Sequence, residues 1–484
     1  MTTLPPRAQV HSLEAYRDVQ RAWVSDLKGG GMGEIALVTS IGLVTYFLWR
    51  CLLLRGLIPW RQDQQGPFNA LFTLLAEGSL LVLPSLICYT YADWAPQLIG
   101  SSLLLGLLIL ALPFSPSSSS LSSKRPQDPP PTLVKGRRLA WLTAYRSSMM
   151  LMTCIAILAV DFTVFPRRFA KVETFGTSLM DLGVGSVVYS AGLVASRQYM
   201  PTTWSRISPP RLALNALKDA FPLVILGLAR LAFVKGAAYQ EHVSEYGVHW
   251  NFFLTLSGLP IGVALCKSLF AQRAGLAACV VALAYQYILS YMGLQSFILE
   301  APRSLSLFAA NKEGISSLMG YLAIYLFGVD SGQVLLEAPG FPTDSPKMNR
   351  SKSWRLLARI ILLWSCLYFA LHSLDLPVSR RMANLPYVLW VVAFNLTFVL
   401  GFCLTEMGPF STTSLKDVSP ELLSAVNQNS LFIFLLANIL TGTVNTLVWT
   451  LYVPEAQAML ILSLYMGLVS LVALVLYRHH IRWM

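Results

Sequence analysis

The sequence predicts an all-α polytopic membrane protein, a bundle of about 13 transmembrane helices. Two features of its composition support this fold class. Of the 484 residues, 55% are hydrophobic and only 12% are charged, and that charged fraction is about half of the roughly 25% that is usual in soluble globular proteins. The apolar residues also form runs of about 20, which is the length that a helix needs to cross a bilayer.

Thirteen apolar runs are candidates for spanning helices, and the third is among the shortest. They lie at approximately residues 34–54, 68–91, 97–113, 139–160, 178–196, 211–234, 249–270, 274–297, 315–336, 355–372, 386–405, 428–450 and 457–477. The chain therefore divides into an N-terminal segment (1–33), a transmembrane region (34–477) and a short tail (478–484). Residues 114–138 are rich in serine and proline, which is typical of an irregular loop rather than a domain.

The basic residues indicate how the spans are oriented. An odd number of spans places the termini on opposite sides of the membrane, and positive charge is enriched on the cytosolic side. The chain has 36 lysines and arginines, and most of those that lie outside the spans become cytosolic if the C-terminus is cytosolic. We therefore predict a non-cytosolic N-terminal segment, a cytosolic 114–138 loop and a cytosolic tail. The basic residues are scattered over short loops, which argues against nucleic-acid binding.

Three polar segments share the non-cytosolic side in this orientation. They read DFTVFPRRFAKVETFG (161–176), KGAAYQEHVSEYGVHWNFF (235–253) and NKEG (311–314). We expect them to assemble a site at the mouth of the helix bundle. The alternative is ordinary anchoring, because Trp, Tyr, Lys and Arg are enriched at membrane interfaces. The candidate substrate-binding residues in these segments are Arg168, Lys235, Gln240, Glu241, His242, Glu245, Tyr246, His249, Asn251, Asn311 and Lys312.

The middle segment has a pattern that depends on whether it is helical. If QEHVSEYGVHW begins as a helix, His242, Tyr246 and His249 share one face, and the two glutamates form an adjacent row. Gly247 could end such a helix early. The order EHVSE does not match HExxH, in which two histidines four residues apart bind zinc, so we predict no metal site.

Asp161 ends the fourth predicted span at the edge of the membrane. Loss of hydration there could raise the pKa of its carboxyl group and make it usable as a general base. Lys171 follows ten residues later, beyond Pro166, so the chain can fold back towards Asp161. The alternative is a carboxylate at a helix end that pairs with Arg167 or Arg168.

Polar residues also occur inside the twelfth predicted span. The stretch from Asn427 to Asn445 includes Asn429, Asn438 and Thr441. Amides and hydroxyls at this depth usually face the bundle interior and form hydrogen bonds between helices. Alternatively, they line a path for a polar substrate.

Four motifs together resemble one known family. They are VDFTVFPRRFAKVETFGTSLMDLGVG (160–185), YQEHVSEYGVHWNFF (239–253), NKEGISSLMGYLAIYLFG (311–328) and NQNSLFIFLLANILTG (427–442). The resemblance is to the PIG-W family, the glucosaminyl-phosphatidylinositol inositol acyltransferases of GPI-anchor biosynthesis, called GPI-anchored wall transfer proteins in fungi. It runs nearly end to end and includes WVSDLKGGGMGEIALV (23–38).

The resemblance implies an enzyme of the endoplasmic reticulum membrane, and the orientation predicted from the basic residues then places the N-terminus in the lumen. It implies transfer of a long acyl chain, typically palmitoyl, from acyl-CoA to the inositol 2-hydroxyl of glucosaminyl-phosphatidylinositol. Acyl-CoA is then a cosubstrate, and no prosthetic group is expected. The resemblance also implies that Asp161 and Lys171 of the DFTVFPRRFAK motif are the catalytic pair.

Elementary chemistry agrees with such a pair but leaves the roles open. Transfer to an alcohol needs a base for the hydroxyl proton and a positive group where the thioester oxygen gains charge. Asp161 would be the base and Lys171 the positive group, although the roles could be exchanged, and His242 is an alternative base. A transporter or flippase of a glycolipid intermediate would use the same polar mouth, but the sequence shows no pair of interrupted helices to support it.

Overall fold

The computed structural model describes residues 4–7, 12–58, 67–112, 139–199, 209–236, 243–270, 273–336, 350–407, 410 and 418–483. Within these ranges the chain is helical, and its one isolated β-bridge joins Gly29 to Thr177. Twelve of the described helices are long and apolar enough to cross a membrane. These features confirm an all-α polytopic membrane protein. The predicted loop at 114–138 lies outside the described residues.

Every predicted apolar run contains a helix. The α-helices are Leu13–Val24, Met32–Leu54, Pro67–Glu77, Leu83–Thr90, Ala95–Ala111, Ala140–Ala159, Leu179–Ala195, Pro209–Gly236, Val243–Tyr246, Phe252–Phe270, Ala274–Tyr291, Leu294–Glu300, Leu307–Ala310, Lys312–Leu335, Arg350–His372, Leu385–Leu404, Glu421–Gln428, Ser430–Leu447 and Glu455–Arg478. The predicted span at 178–196 forms Leu179–Ala195, whose 17 residues give a length of about 25 Å.

Some helices depart from regular geometry. A π-helical turn, Gly78–Val82, joins Pro67–Glu77 to Leu83–Thr90, so the second predicted span is one irregular helix. The eighth predicted span, 274–297, is interrupted at Gly293, whose φ of +75° is readily adopted by glycine. The sequence pattern did not predict these interruptions, because all the residues involved lie in apolar runs.

The chain forms two compact units. Unit 1 comprises residues from 1–25, 31–170 and 398–484, and unit 2 comprises residues from 26–30 and 171–397. The N-terminal segment that the sequence suggested as a separate region, 1–33, is therefore divided between them. Asp161 belongs to unit 1 and Lys171 to unit 2.

Polar contacts fix the short helix Glu421–Gln428 in unit 1. The carboxylate of Glu77 accepts hydrogen bonds from the backbone N–H groups of Glu421 and Leu422, at 3.2 and 2.7 Å. The guanidinium group of Arg478 donates two hydrogen bonds to the carboxylate of Glu421, at 2.7 and 2.9 Å. Because the first N–H groups of a helix have no partner within it, Glu77 serves as a remote cap.

Glycines allow two helices of unit 2 to pack closely. Leu179–Ala195 lies against Lys312–Leu335. A Cβ atom added at Gly328 would collide with the carbonyl oxygen of Tyr189, and one at Gly332 would collide with that of Leu193. Small residues at such a seam are typical of helix packing in membranes, where backbones approach one another directly.

The substitution Gly328→Ala is expected to destabilise the protein by about 1–3 kcal/mol, because the added methyl group overpacks this seam. The matched control is Gly467→Ala, since no described atom from another part of the chain lies within 4 Å of a Cβ built at Gly467. The thermal midpoints of the purified variants in detergent provide the measurement. Equal midpoints for the two variants would contradict the tight seam.

Candidate functional site

Asp161 lies where the apolar pattern predicts, just beyond the end of helix Ala140–Ala159. Its backbone N–H donates to the carbonyl oxygen of Leu158 at 3.2 Å. Its carboxylate oxygen Oδ2 accepts a hydrogen bond of 2.7 Å from Nδ2 of Asn445. Asn445 is in the last turn of helix Ser430–Leu447. The ends of two helices thus meet through one carboxylate–amide contact.

The loop after Asp161 is anchored by aromatic and ionic contacts. Phe162 and Phe169 are fully buried. Nε of Arg168 donates to Oε1 of Glu34 at 2.8 Å, so this arginine, a predicted substrate ligand, is held by an acidic partner. The guanidinium carbon of Arg167 lies 4.7 Å from the centre of a Trp23 ring. The loop is therefore fixed in unit 1 by groups from the first helices of the chain.

The amphipathic helix Leu13–Val24 contributes Tyr16 to the surroundings of Asp161. The ring of Tyr16 stacks on Trp449 at a centroid distance of 4.9 Å, and its hydroxyl oxygen accepts the N–H of Leu451 at 3.2 Å. Burial raises the pKa of the Tyr16 hydroxyl, and the negative charge of Asp161 raises it further. The N-terminal helix therefore packs beside the segment that follows Asn445.

Lys171 is one end of a series of alternating charges in unit 2. Its Nζ lies 2.7 Å from Oε1 of Glu245, which lies 3.8 Å from Nη2 of Arg380. Nε of Arg380 lies 2.6 Å from Oδ1 of Asp181. The side chains of Asp181 and Arg380 are 1% and 4% exposed, whereas that of Lys171 is 40% exposed. The series thus leads from the protein interior to an accessible ammonium group.

The inner end of this series is held by neutral hydrogen bonds. Oδ2 of Asp181 accepts from the Ser178 hydroxyl at 2.7 Å and from the Val172 N–H at 3.1 Å. The hydroxyl of Tyr387 donates to the carbonyl oxygen of Asp181 at 2.8 Å. Burial alone would lower the pKa of the Arg380 guanidinium, but the carboxylates on either side raise it well above its ordinary value.

Asp181 and Arg380 were absent from the predicted site residues, although the sequence carried a signal for each. Asp181 is an acidic residue in the first turn of an apolar run, and an ionisable residue within a spanning segment is a candidate for function. Arg380 belongs to a pair of arginines on the predicted non-cytosolic side, where positive charge is scarce. What the sequence did not reveal is that these two residues meet.

The NKEG segment has a structural role. Oδ1 of Asn311 accepts the N–H of His249 at 2.8 Å. Nζ of Lys312 is buried and donates to the carbonyl oxygens of Ala301 and Phe297 at 2.6 and 3.3 Å. The polar groups of Asn311 and Lys312 therefore hold the backbone of this segment, and their contact with a substrate stays a prediction.

Glu313, the third residue of this segment, is the centre of a buried ion-pair network. Its side chain is 0% exposed. Arg303 forms a two-pronged contact with it, at 2.6 and 2.9 Å, and Arg381 donates to the same carboxylate at 2.8 Å. The anion is thus enclosed, whereas Arg381 and Arg303 are 12% and 29% exposed.

The predicted helical face of the middle segment is wrong for His249. Helix Val243–Tyr246 stops before Gly247, whose φ is +118°. A Cβ atom at this position would also press on the backbone of Asn311. Glycine is needed here for both reasons, and the chain turns before it reaches His249. Glu245 lies in the same short helix, and its carboxylate contacts the ammonium group of Lys171.

Other predicted residues of this segment have mixed outcomes. Asn251 is the N-cap of helix Phe252–Phe270: its Oδ1 accepts the N–H of Phe253 at 3.1 Å, which is a common capping contact. Tyr246 is partly buried, and burial raises the pKa of its hydroxyl well above the ordinary value. Three predicted residues, Gln240, Glu241 and His242, lie outside the described residues. Lys235 lies in helix Pro209–Gly236, but its side chain is outside the described part of the structure.

The polar residues of helix Ser430–Leu447 do not act together. Asn438 is exposed, and its amide donates to the carbonyl oxygen of Phe434 in the same helix, so the expectation that it faces the interior is wrong. Thr441 is buried. Asn429 accepts the N–H of Trp483 at 2.9 Å and lies about 24 Å along the helix from Asn445. It therefore anchors the C-terminal tail.

The geometry provides two chemical groups of opposite charge. Unit 1 presents a carboxylate whose orientation is fixed by an amide donor. Unit 2 presents an ammonium group whose position is fixed by Glu245. A carboxylate of this kind can accept a proton, and an ammonium group can stabilise developing negative charge.

Comparison with known proteins identifies the family. A sequence model of the GWT1 family matches residues 16–476. The chain is 38% identical to GPI-anchored wall transfer protein 1 of Aspergillus oryzae, over 97% of this chain and 99% of that protein. The proteins of the same name from Saccharomyces cerevisiae and Schizosaccharomyces pombe are 37% and 36% identical over similar shares of both chains. These matches confirm the resemblance carried by the four motifs, and the chain therefore belongs to the GWT1 family.

Proposed function

We propose that the protein is an acyl-CoA-dependent inositol O-acyltransferase. It would transfer a long acyl chain, typically palmitoyl, to the inositol 2-hydroxyl of glucosaminyl-phosphatidylinositol in GPI-anchor biosynthesis. The observation that carries the proposal is the DFTVFPRRFAK motif, which supplies a fixed carboxylate at a helix end and, ten residues later, a fixed ammonium group. The relatives are named as transfer proteins of the GPI-anchored wall, which supports a substrate from GPI-anchor metabolism.

The proposed reaction uses these two groups in one step. The inositol hydroxyl oxygen attacks the thioester carbonyl carbon, so that a C–O bond forms, while Asp161 accepts the proton of that hydroxyl. Lys171 stabilises the negative charge that develops on the carbonyl oxygen. The C–S bond then breaks, and the CoA thiolate leaves and takes up a proton from Asp161 or Lys171. A thiol with an ordinary pKa near 8.5 is a good leaving group, so no stronger acid is needed.

The proposal places the protein in the endoplasmic reticulum membrane, with the N-terminal segment and the polar segments in the lumen and the C-terminus in the cytosol. Its partners are acyl-CoA, the glycolipid acceptor and the bilayer. Residues that remain candidates for contacts with the acceptor head group include those whose side chains were not described, such as His242. His242 also remains the alternative base, because its unperturbed pKa is near neutral.

This orientation predicts that the sequon Asn349-Arg-Ser carries no glycan, since it would face the cytosol. The exposed Ser304 lies in a segment predicted to be lumenal, and Ser304→Asn creates an N-x-[ST] sequon there. We expect treatment with a glycosidase to change the electrophoretic mobility of this variant after expression in cells. The electrophoretic mobility of the parent protein should not change. A glycan on Asn349 would reverse the orientation.

Acyl transfer by purified protein is the direct test of the function. Incubation with labelled palmitoyl-CoA and glucosaminyl-phosphatidylinositol should release one CoA thiol for each acylated lipid formed. Omission of the acceptor is the control for simple thioester hydrolysis. Intact palmitoyl-CoA and unmodified acceptor after incubation with folded protein would contradict the proposal.

A transporter or flippase of a glycolipid intermediate is the second candidate. Its supporting observation is that described helices of unit 1 are interrupted, by the π-helical turn Gly78–Val82 and at Asn429 between Glu421–Gln428 and Ser430–Leu447. Transporters commonly build their sites from discontinuous helices. The two candidates differ in one measurable way, because a flippase moves the lipid across vesicle membranes without consuming acyl-CoA.

A further inference from the structure

Asn445 contacts Asp161 in a way that the packing of their helices alone does not explain. Its Nδ2 donates to Oδ2 of Asp161 at 2.7 Å, across 284 positions of the sequence. Its other polar atom, Oδ1, is buried and has no hydrogen-bond partner among the described residues. An asparagine that only joins two helices would be expected to satisfy both ends of its amide. Here only the end that faces the carboxylate is satisfied.

The helices that carry the two residues are held in register. Helix Glu455–Arg478 contributes Tyr465, whose hydroxyl donates to the carbonyl oxygen of Cys154 at 2.9 Å and lies 3.5 Å from that of Ala437. These carbonyls lie about two turns from Asp161 and Asn445, respectively. The contact between amide and carboxylate is therefore supported by a cross-link between their helices.

The chemistry of an amide suits it to position a general base. An amide donates hydrogen bonds but does not itself titrate in the physiological range. Nδ2 therefore fixes one carboxylate oxygen without competing for the proton that the carboxylate must receive. A hydrogen bond to the charged form also favours ionisation, which keeps the carboxylate ready to act as a base.

We propose that Asn445 is a positioning residue of the transfer reaction, which holds the Asp161 carboxylate in the orientation that receives the inositol hydroxyl proton. This inference rests on the proposed function. It assigns Asn445 no contact with the reacting atoms, because it acts through Asp161.

Other charged and titratable groups of unit 1 belong to the elements around this carboxylate. Tyr16 faces it from helix Leu13–Val24, and the charge of Asp161 raises the pKa of the Tyr16 hydroxyl. On the loop that follows Asp161, Arg167 stacks on Trp23, and Arg168 is paired with an acidic residue from helix Met32–Leu54. A variant of Asn445 leaves all of these groups in place.

The test compares Asn445→Ala and Asn445→Asp with Thr443→Ala in steady-state acyl transfer. Thr443 is the control because it is two residues away in the same helix, is exposed, and donates its hydroxyl to the backbone carbonyl oxygen of Ile439 in that helix. We expect Asn445→Ala to lower kcat roughly ten-fold or more, with little change in KM for palmitoyl-CoA. Thr443→Ala should stay within about two-fold of the parent.

The pH profile separates positioning from a structural role. The base acts when deprotonated, so activity falls as the pH drops through its pKa. Asn445→Asp puts a second carboxylate beside the first, which raises the pKa of one of them, and the acidic limb should move to higher pH by roughly one unit or more. Asn445→Ala removes a donor to the charged form and should move the limb in the same direction by less. Unmoved acidic limbs in both folded variants would overturn the proposal.

A titration of the Asp161 carboxyl group in the absence of substrates tests the contact with Asn445 independently of the proposed function. Infrared difference spectra of protein with labelled aspartate report carboxyl protonation, and Asp161→Asn identifies the band of Asp161. We expect the midpoint of that band to rise in Asn445→Asp and Asn445→Ala and not in Thr443→Ala. Shifted midpoints in a protein without acyl transfer would support the positioning contact and reject the acyltransferase. Unchanged midpoints would reject the contact, whatever the activity.

Discussion

Asp161→Asn is expected to lower acyl transfer by about 10²- to 10⁴-fold, the usual contribution of a single general base. The substitution keeps the shape of the side chain, and the oxygen of the new amide can still accept the hydrogen bond from Nδ2 of Asn445. The protein should therefore fold normally and lose mainly the ability to accept a proton. The measurement is turnover of palmitoyl-CoA and glucosaminyl-phosphatidylinositol by purified variants, alongside their thermal midpoints.

Lys171→Ala provides the companion variant. Loss of a group that stabilises an oxyanion costs about 10²- to 10³-fold in rate. Glu245 keeps a cationic neighbour in this variant, because Arg380 remains 3.8 Å from it, and the protein should stay folded. Because both groups would serve one step, the double variant should be far less impaired than the product of the two single effects predicts.

The contrary interpretation is that Asp161 and Lys171 only clamp a loop. An exchange of the two residues would then restore much of the activity, whereas an exchanged pair cannot restore a base and a cation to their original positions. Near-normal turnover by Asp161→Asn would refute the mechanism and transfer the role of base to His242.

Glu313→Ala is expected to reduce the free energy of unfolding by about 3–5 kcal/mol, the usual cost of removing one partner from a buried ion pair. Glu313 is 0% exposed and faces both Arg303 and Arg381. Its removal leaves two guanidinium groups close together without their shared counter-charge, and Arg381, at 12% exposed, can be hydrated only in part. The expected result is a large fall in the thermal midpoint, or failure to purify a folded protein.

Glu34→Ala is the control for this prediction. Glu34 also pairs with an arginine, Arg168, but the two side chains are 31% and 43% exposed. Exposed ion pairs contribute only about 0–1 kcal/mol, so this variant should keep nearly the parent midpoint. Similar losses in the two variants would mean that burial does not distinguish the two networks.

The fold was predictable because the signal for a spanning helix is local. Backbone polar groups in a bilayer must be satisfied within the segment, so an apolar run of sufficient length predicts a helix without knowledge of its neighbours. The interruptions at Gly78–Val82 and Gly293 were not predictable in this way. They depend on how the helices pack, and apolar residues serve both regular and irregular turns.

The site was only partly predictable because its contacts are distant in sequence. Asp161 and Lys171 lie in one motif, but Asp181 and Arg380 meet only through the packing of unit 2. Asn438 and Asn445 look equivalent along the chain, yet one is exposed and the other contacts Asp161. The two residues are seven positions apart and share one side of the helix. They differ in what packs against that side at each level along the axis, and no periodicity within Ser430–Leu447 contains that information.

The alternating series from Lys171 to Asp181 restricts how this chain can vary. Its two cations and two anions sum to zero, and the constraint is strongest at the inner pair, Asp181 and Arg380, whose side chains are 1% and 4% exposed. Replacement of either one by a neutral residue leaves the other as an unbalanced charge that water cannot reach, and such a change is costly. Changes at Asp181 and Arg380 are therefore expected to be tolerated in pairs, and libraries that randomise only one of these two positions will sample few of the folded alternatives.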